Sequence, residues 1–160
     1  MITKDLVNNL FEYKDGELYW KVATGSRAVV GKMAGSLNHD GYKRIKINNK
    51  LYSTHRLIFL MFNGYLPECV DHIDGNPSNN IIENLRQATK AQNCLNSKLL
   101  NRNKSGIKGV SWNKQKKAWV VQLMVNNAKK YFGHYHDIAV AKFVADAMRY
   151  KYHKEFARFA

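Results

Sequence analysis

Turn signals interrupt this chain at short intervals, and they limit every element to modest length. Asp15-Gly16, Asn48-Asn49, Asn63-Gly64, Asp74-Gly75 and Asn126-Asn127 are all dipeptides suited to tight or left-handed backbone. No apolar run between them approaches the ~18–20 residues of a membrane span. The hydrophobic fraction of 45% still permits a core, and 160 residues suit one medium domain or two small ones. The expected class is α+β: short antiparallel strands with a few helices packed on them.

A pass along the chain gives the order. Residues 3–12 predict a short helix capped by Thr3, and KDGELYW predicts a hairpin turning at Asp15-Gly16. Residues 23–41 are Gly-rich and loop-like. In YKRIKINNKLYSTH, Ile45 and Ile47 point one way and Tyr42, Arg44 and Lys46 the other, a hairpin with one basic face. HRLIFLMFNGY is apolar all round and stops at Asn63-Gly64, as a buried helix does. CVDHI and NLRQ read as two short strands, and Thr89 with Gln92 has the capping-box pattern of a helix start. Residues 98–105 read as a basic linker. Beyond it, GVSW, AWVVQLMV and KKYFGHY are strand candidates, and Asp137 caps a helix over 138–152 with Ala141, Val144, Ala145 and Met148 at helical spacing. The chain therefore divides into residues 1–97 and 106–160, the second a three-stranded antiparallel sheet on one helix.

Charge separates the same two parts. Residues 1–97 carry 12 basic and 9 acidic side chains; residues 98–160 carry 14 and 3. So basic a C-terminal part attracts polyanions through phosphate contacts and counterion release. A membrane surface would ask for an amphipathic basic helix or a lipidation signal, and neither stands out. The N-terminal residues lack a secretory signal core. Cys69 and Cys94 have neither CxxC spacing nor the number for a zinc site, and read as small core residues.

Residues 70–96 (VDHIDGNPSNNIIENLRQATKAQNCLN) hold six asparagines, two aspartates and one histidine. Such groups are costly when buried without partners, so the segment is either an exposed loop or a cluster of oxygens that holds something. An EF-hand fails, because its register would require an oxygen ligand at Val70. Read as strand, loop, strand and helix, the unit offers another device. Asp71 and Asn93 supply two hard oxygens for Mg²⁺, which keeps several waters and is completed by substrate phosphate. His72 beside the ion takes a proton from attacking water. Asn84 accepts the second ring N–H of His72 and fixes its tautomer. His55 either supports this site or packs against it.

The spacing Asp71-His72, then Asn84 after eleven intervening residues, then Asn93 after eight more, resembles the HNH nuclease motif. DHIDGN, NNIIENLR and AQN are similar to the phage and intron-encoded branch, as is the upstream GYKRIKINNKLYSTHRL. The resemblance implies a ββα-metal fold over residues 69–97, His72 as general base, Asp71 and Asn93 as metal ligands, and an orienting role for Asn84. The last motif letter is Asn where the family name has His, which favours Mg²⁺ or Mn²⁺ and disfavours zinc.

The basic C-terminal part has two sheet faces by alternation. Val110, Trp112, Trp119, Val121, Leu123 and Phe132 face the helix; Ser111, Asn113, Gln122, Met124, Lys129 and Tyr131 face away. With Lys114, Lys116 and Lys117 in the adjoining turn, the outer face suits a DNA groove. Gly109-Val110, the Trp119 strand, YFGHY, Asp146 and Ala157-x-Phe159 resemble the APETALA2/ethylene-response-factor DNA-binding domain. The combined expectation is a metal-dependent, homing-type DNA endonuclease, phage-encoded and acting in a bacterial cytoplasm. Its partner is double-stranded DNA, contacted also by Arg44 and Lys46, with no membrane and no obligate protein partner. The alternative is a non-catalytic DNA-binding regulator with a degenerate nuclease half.

Overall fold

The computed structural model describes residues 2–25, 28–97, 99 and 103–159. The chain forms two compact units, Met1–Lys90 and Ala91–Ala160. Among the described residues no helix is long and apolar enough to cross a membrane.

The first unit starts with α1 (Lys4–Leu10), whose Thr3 side chain accepts the Leu6 N–H at 3.2 Å as an N-cap. β1 (Phe11–Lys14) and β2 (Glu17–Trp20) pair around the Asp15-Gly16 turn, where both residues have positive φ. β3 (Ser36–Leu37) joins β4 (Lys43–Ile47), which pairs with β5 (Lys50–Ser53) through Asn48 and Asn49, also at positive φ. β3 lies in the segment expected to be all loop; its pairing is set by β4 and has no local apolar pattern behind it. Ser26 and Arg27 of that segment lie outside the described residues.

α2 (Thr54–Asn63) ends where expected, with Gly64 left-handed at φ +81 and its N–H donating to the Leu60 carbonyl. Leu57, Ile58, Phe59 and Leu60 are buried along it, beside Val7, Phe11, Leu18 and Ile45. Each such side chain contributes about 1.5–3 kcal/mol on burial. This core carries the hairpin of β6 (Cys69–His72) and β7 (Leu85–Ala88), which insert Val70 and Leu85 into it. The register pairs Asp71 with Arg86 and His72 with Leu85. A loop closing in a 3₁₀ turn (Ile82–Asn84) joins the two strands. After β7 comes α3 (Lys90–Leu95), directly following Thr89.

In the second unit β8 (Val110–Asn113), β9 (Ala118–Val125) and β10 (Ala128–Tyr135) form an antiparallel sheet with β9 central. α4 (Ile138–His153) is capped by Asp137, whose carboxylate accepts the Ala139 N–H at 2.7 Å. Val110, Val121, Ala141 and Ala145 form the core, with Trp119, Phe132 and Val144 packed against it. Trp112 is on the helix-facing side by register but 48% exposed, lying edge-on to Trp119. Gly109 is obligatory: at φ +77, a Cβ would stand 2.9 Å from the Gln122 carbonyl oxygen.

Three expectations need correction. Residues 98–105 read as a linker, but Asn103 and Ser105 are folded onto the start of β8, with Ser105 Oγ donating to the Val110 carbonyl at 2.8 Å. Residues 98 and 100–102 of that stretch lie outside the described residues. The cysteines are free thiols and neither is a core residue: Cys69 is half-buried and Cys94 exposed. α4 also buries a charge that periodicity did not reveal. Arg149 is 1% exposed, with Nη1 donating to Asp146 at 3.0 Å and Nη2 to the Lys108 carbonyl, so it anchors the approach to β8.

Candidate active site

β6 terminates at His72, and its last two side chains are both 4% exposed. Strand neighbours point to opposite faces, so Asp71 and His72 enter different surroundings. Asp71 Oδ2 accepts from both Nε and Nη2 of Arg86 at 2.8 Å. That guanidinium stands directly across the hairpin, where the register puts the two opposite charges side by side. The two bonds from one guanidinium fix the orientation of this buried carboxylate.

The His72 ring meets an amide and two other rings. Nε2 lies 2.9 Å from Asn80 Oδ1, and Asn80 is 2% exposed. The His55 ring, from the first turn of α2, sits 4.9 Å away centroid to centroid, and the Tyr42 ring 5.9 Å away. Burial, then the neighbouring His72 and Arg56, lowers the His55 pKa to about 3, so His55 is neutral near neutral pH. Burial, then Asp40 and Asp71, raises the Tyr42 hydroxyl above its ordinary value.

The loop after His72 accounts for most of the amides. Asp74 is its hub. Its carboxylate accepts from the Asn76 N–H at 2.8 Å, from Asn84 Nδ2 at 3.0 Å and from Asn79 Nδ2 at 2.8 Å. Burial works to raise the Asp74 pKa, but those donors outweigh it and the net shift is downward. Asn84 Oδ1 accepts the Asp74 N–H at 3.0 Å, and Asn84 Nδ2 also donates to the Asn79 carbonyl at 2.8 Å. The outside of the loop is clamped as well. Ile82 N–H donates to the Tyr13 hydroxyl, Ser78 Oγ donates to the Gly41 carbonyl, and a Cβ on Gly16 would come within 2.9 Å of Ile81 N. The oxygens of this segment therefore hold the loop itself, and the rigid loop presents Asn80 to His72.

Asn84 thus differs from expectation. Its amide is committed to Asp74 and Asn79, and the side chain at the imidazole is Asn80. Asn80, Arg86 and Tyr42 are the residues sequence reasoning missed, and Arg86 alone had a signal, as the cross-strand neighbour of an aspartate in a two-stranded hairpin. His55 packs on His72. Asn93 is exposed on α3, in the second unit.

Among the described residues no three His, Cys, Asp or Glu side chains group to hold an ion. Asp71 offers a buried carboxylate, a hard oxygen donor of the kind divalent cations accept.

A family profile described as HNH endonuclease matches residues 52–95, from β5 to the end of α3. Protein 3.8 of Escherichia phage T7 is 34% identical over 107 residues, covering 66% of this chain and 88% of the phage protein. Residues 52–95 of the chain are thus an HNH endonuclease-type segment, and the chain as a whole is a relative of Protein 3.8. A second relative, named as an uncharacterized HNH endonuclease (L560) of Acanthamoeba polyphaga mimivirus, is 37% identical over 91 residues, 55% of this chain and 48% of that protein. No solved structure matches significantly. The HNH match includes Asp71, His72, Asn80, Asn84, Arg86 and Asn93, and it ends before β8.

Outside the HNH segment, the expected DNA-contacting residues fall in two places. Arg44 and Lys46 are on β4, with Lys46 exposed and Arg44 paired to Asp40 at 2.5 Å. On the sheet of the second unit, Ser111, Lys114, Lys116, Lys117, Lys129 and Tyr131 are exposed, with Asn113 and Gln122 half-buried. Gln122 pairs with Tyr131 and Met124 with Lys129, so these four share one face. Asn113 Oδ1 accepts the Lys116 N–H and shapes the lysine-bearing turn. The Tyr131 hydroxyl bonds His134 Nδ1 at 2.8 Å.

Proposed function

We propose that this HNH protein is a metal-dependent DNA endonuclease in which His72 is the general base. The single observation that supports it most is the buried Asp71–His72 pair at the end of β6. Each member has a dedicated partner, Arg86 for the carboxylate and Asn80 for the imidazole. In this mechanism the His72 ring accepts a proton from a water that attacks the scissile phosphate in line. Neutral His55 and the Asn80 amide keep the ring in place without competing for that proton. Asp71, oriented by Arg86, and Asn93, by its position in the motif, would hold a divalent ion, Mg²⁺ or Mn²⁺. When bound, that ion supplies positive charge at the phosphate and at the leaving oxygen. The products are 5′-phosphate and 3′-hydroxyl ends. Asn84, by locking the loop to Asp74, preserves the distance between β6 and Asn80.

The second unit supplies targeting. Its outer sheet face joins amide groups of Asn113 and Gln122 to Ser111, Lys129 and Tyr131, and Lys114, Lys116 and Lys117 border it, the mixture that base edges and phosphates call for. Arg44 and Lys46 add phosphate contacts. This is the role of an APETALA2-like module in a phage-encoded, homing-type nuclease acting in the bacterial cytoplasm. One His72 centre per chain makes nicking the natural reaction of a monomer.

The test is incubation of the purified chain with supercoiled plasmid DNA, with and without Mg²⁺ or Mn²⁺. Nicked circles that appear only with the ion, and whose ends ligase reseals, are the expected result. DNA binding without cleavage under either ion would establish a non-catalytic regulator instead.

A further inference from the structure

We propose that a pocket beside β8 in the second unit takes one unpaired nucleotide of a DNA strand, with the base against Trp112 and the phosphates toward Lys104 and Lys114. The proposal rests on the DNA-binding reading of that unit and is independent of cleavage.

β8 is an edge strand of its sheet. Along it lies a cavity of about 630 Å³, lined by Ser105, Lys108, Gly109, Trp112 and Trp119 among others. That volume falls within the ~300–1,000 Å³ of sites that hold small organic ligands. Trp112 pairs with Trp119, and Gln122 with Tyr131, so the two indoles stand on the opposite side of the sheet from the Gln122 and Tyr131 face. The wall before β8 is fixed by its own bonds. Ser105 Oγ accepts the Ile107 N–H at 3.1 Å, and Asn103 Nδ2 donates to the Ile107 carbonyl at 2.9 Å. A wall already ordered saves that cost when a ligand binds.

The indole is left open. Val110 and Val121 share its face and are buried with Ala141 and Ala145 of α4. Trp112, two residues on, lies beyond that cover, braced edge-on by Trp119 with ring centroids 5.0 Å apart. A braced, uncovered aromatic ring is a platform on which a base of any sequence can stack. Bases within a duplex are already stacked and paired, so only an unpaired or extruded one reaches it.

Charge narrows the choice of guest. Lys104, Lys108 and Lys114 line the cavity, and among the described residues no aspartate or glutamate does. Lys104 and Lys114 are exposed. Lys108 is half-buried, and its ammonium donates to the Leu95 and Ser97 carbonyls. Burial, then the nearby charges of Arg149 and Arg158, lowers its pKa to about 8. A cation crowded by cations favours an anion beside it. An aliphatic guest would cover the indole and leave the lysines unmatched; a base joined to its phosphates matches both.

The test is fluorescence anisotropy of the full chain with two labelled duplexes of one sequence, fully paired or carrying one bulged thymidine, in EDTA so that no cut intervenes. Wild type should bind the bulged duplex at least ~5-fold more tightly, the low end for one stacked base. Trp112→Ala should abolish that preference and leave affinity for the paired duplex in place, and Trp112→Phe, which keeps a ring, should retain most of it. Lys104→Gln, at an exposed position, should weaken the bulged complex more than the paired one, and it serves if Trp112→Ala fails to fold. Equal affinity of wild type for both duplexes, or a Trp112→Ala variant that keeps the preference or weakens both complexes alike, would overturn the proposal. Thymidine monophosphate that displaces the bulged duplex at a concentration matching it would mark a free-nucleotide site and overturn the assignment to a strand. Binding to neither duplex would refute the DNA-binding reading of the unit and this proposal with it, whereas equal binding to both refutes this proposal alone.

Discussion

Replacing Asn84 with alanine separates a loop pin from a ligand of the imidazole. The wild-type side chain accepts the Asp74 N–H at 3.0 Å and donates to the Asp74 carboxylate at 3.0 Å and the Asn79 carbonyl at 2.8 Å. A neutral hydrogen bond nets ~0.5–1.5 kcal/mol and one to a charged group ~1.5–3 kcal/mol. Asn84 is half-buried, so water recovers part of each loss and the lower limits apply. Two neutral bonds and one to a carboxylate then cost about 2.5 kcal/mol. With an unfolding entropy of ~2.1 cal/mol/K per residue, this lowers the melting temperature of a chain this long by roughly 7 °C. Melting followed by circular dichroism at neutral pH measures it. An Asn84→Ala variant that melts within about 2 °C of wild type would refute the reasoning. The refutation would be sharper if cleavage fell while stability held, because that is the behaviour of a residue acting on His72 and not on the loop.

Two further perturbations probe other parts of the molecule. His55 is neutral in the folded chain and ionises in the unfolded one, since its folded pKa is lowered to about 3. Stability should therefore fall as pH drops below the unfolded value, by up to ~2 kcal/mol between about pH 6.5 and 5. Urea unfolding at those pH values should show a smaller fall in His55→Phe, and equal falls in both proteins would contradict the burial argument. Replacing Lys114, Lys116 and Lys117 with glutamine should flatten the plot of log affinity for plasmid-derived duplex against log salt, by ~0.9 for each phosphate that is no longer neutralised. An unchanged slope would show that this turn does not touch the DNA backbone.

Much of the fold was legible because its punctuation is local. Asp15-Gly16, Asn48-Asn49 and Asn126-Asn127 occupy positive-φ positions where the backbone turns, and Gly64 does so where a helix ends. Thr3 and Asp137 cap helices through their own side chains, again a decision made within three residues. What escaped depends on partners distant in sequence. β3 is two residues long and exists through β4. Arg149 recurs at helical spacing with Ala141 and Ala145, but its charge disguised a buried position that only the Lys108 carbonyl and Asp146 make tolerable.

The site divides in the same way. The motif spacing located Asp71 and His72 at the end of a strand, where both can be buried and still face a loop. It did not say which asparagine reaches the ring. A loop of this length has no period, and Asn79, Asn80 and Asn84 are chemically identical letters. Only the Asp74 network, which takes the amides of Asn79 and Asn84, leaves Asn80 for His72. Arg86 was within reach of inference, given the antiparallel register that sets it across from Asp71.

The most direct test of the central claim is single-turnover cleavage of supercoiled plasmid by wild type and His72→Ala, with Mg²⁺ and saturating protein. The variant should bind DNA as wild type does and cut at least ~100-fold more slowly, the scale of a missing general base. A variant that cuts at the wild-type rate would contradict the assignment of His72.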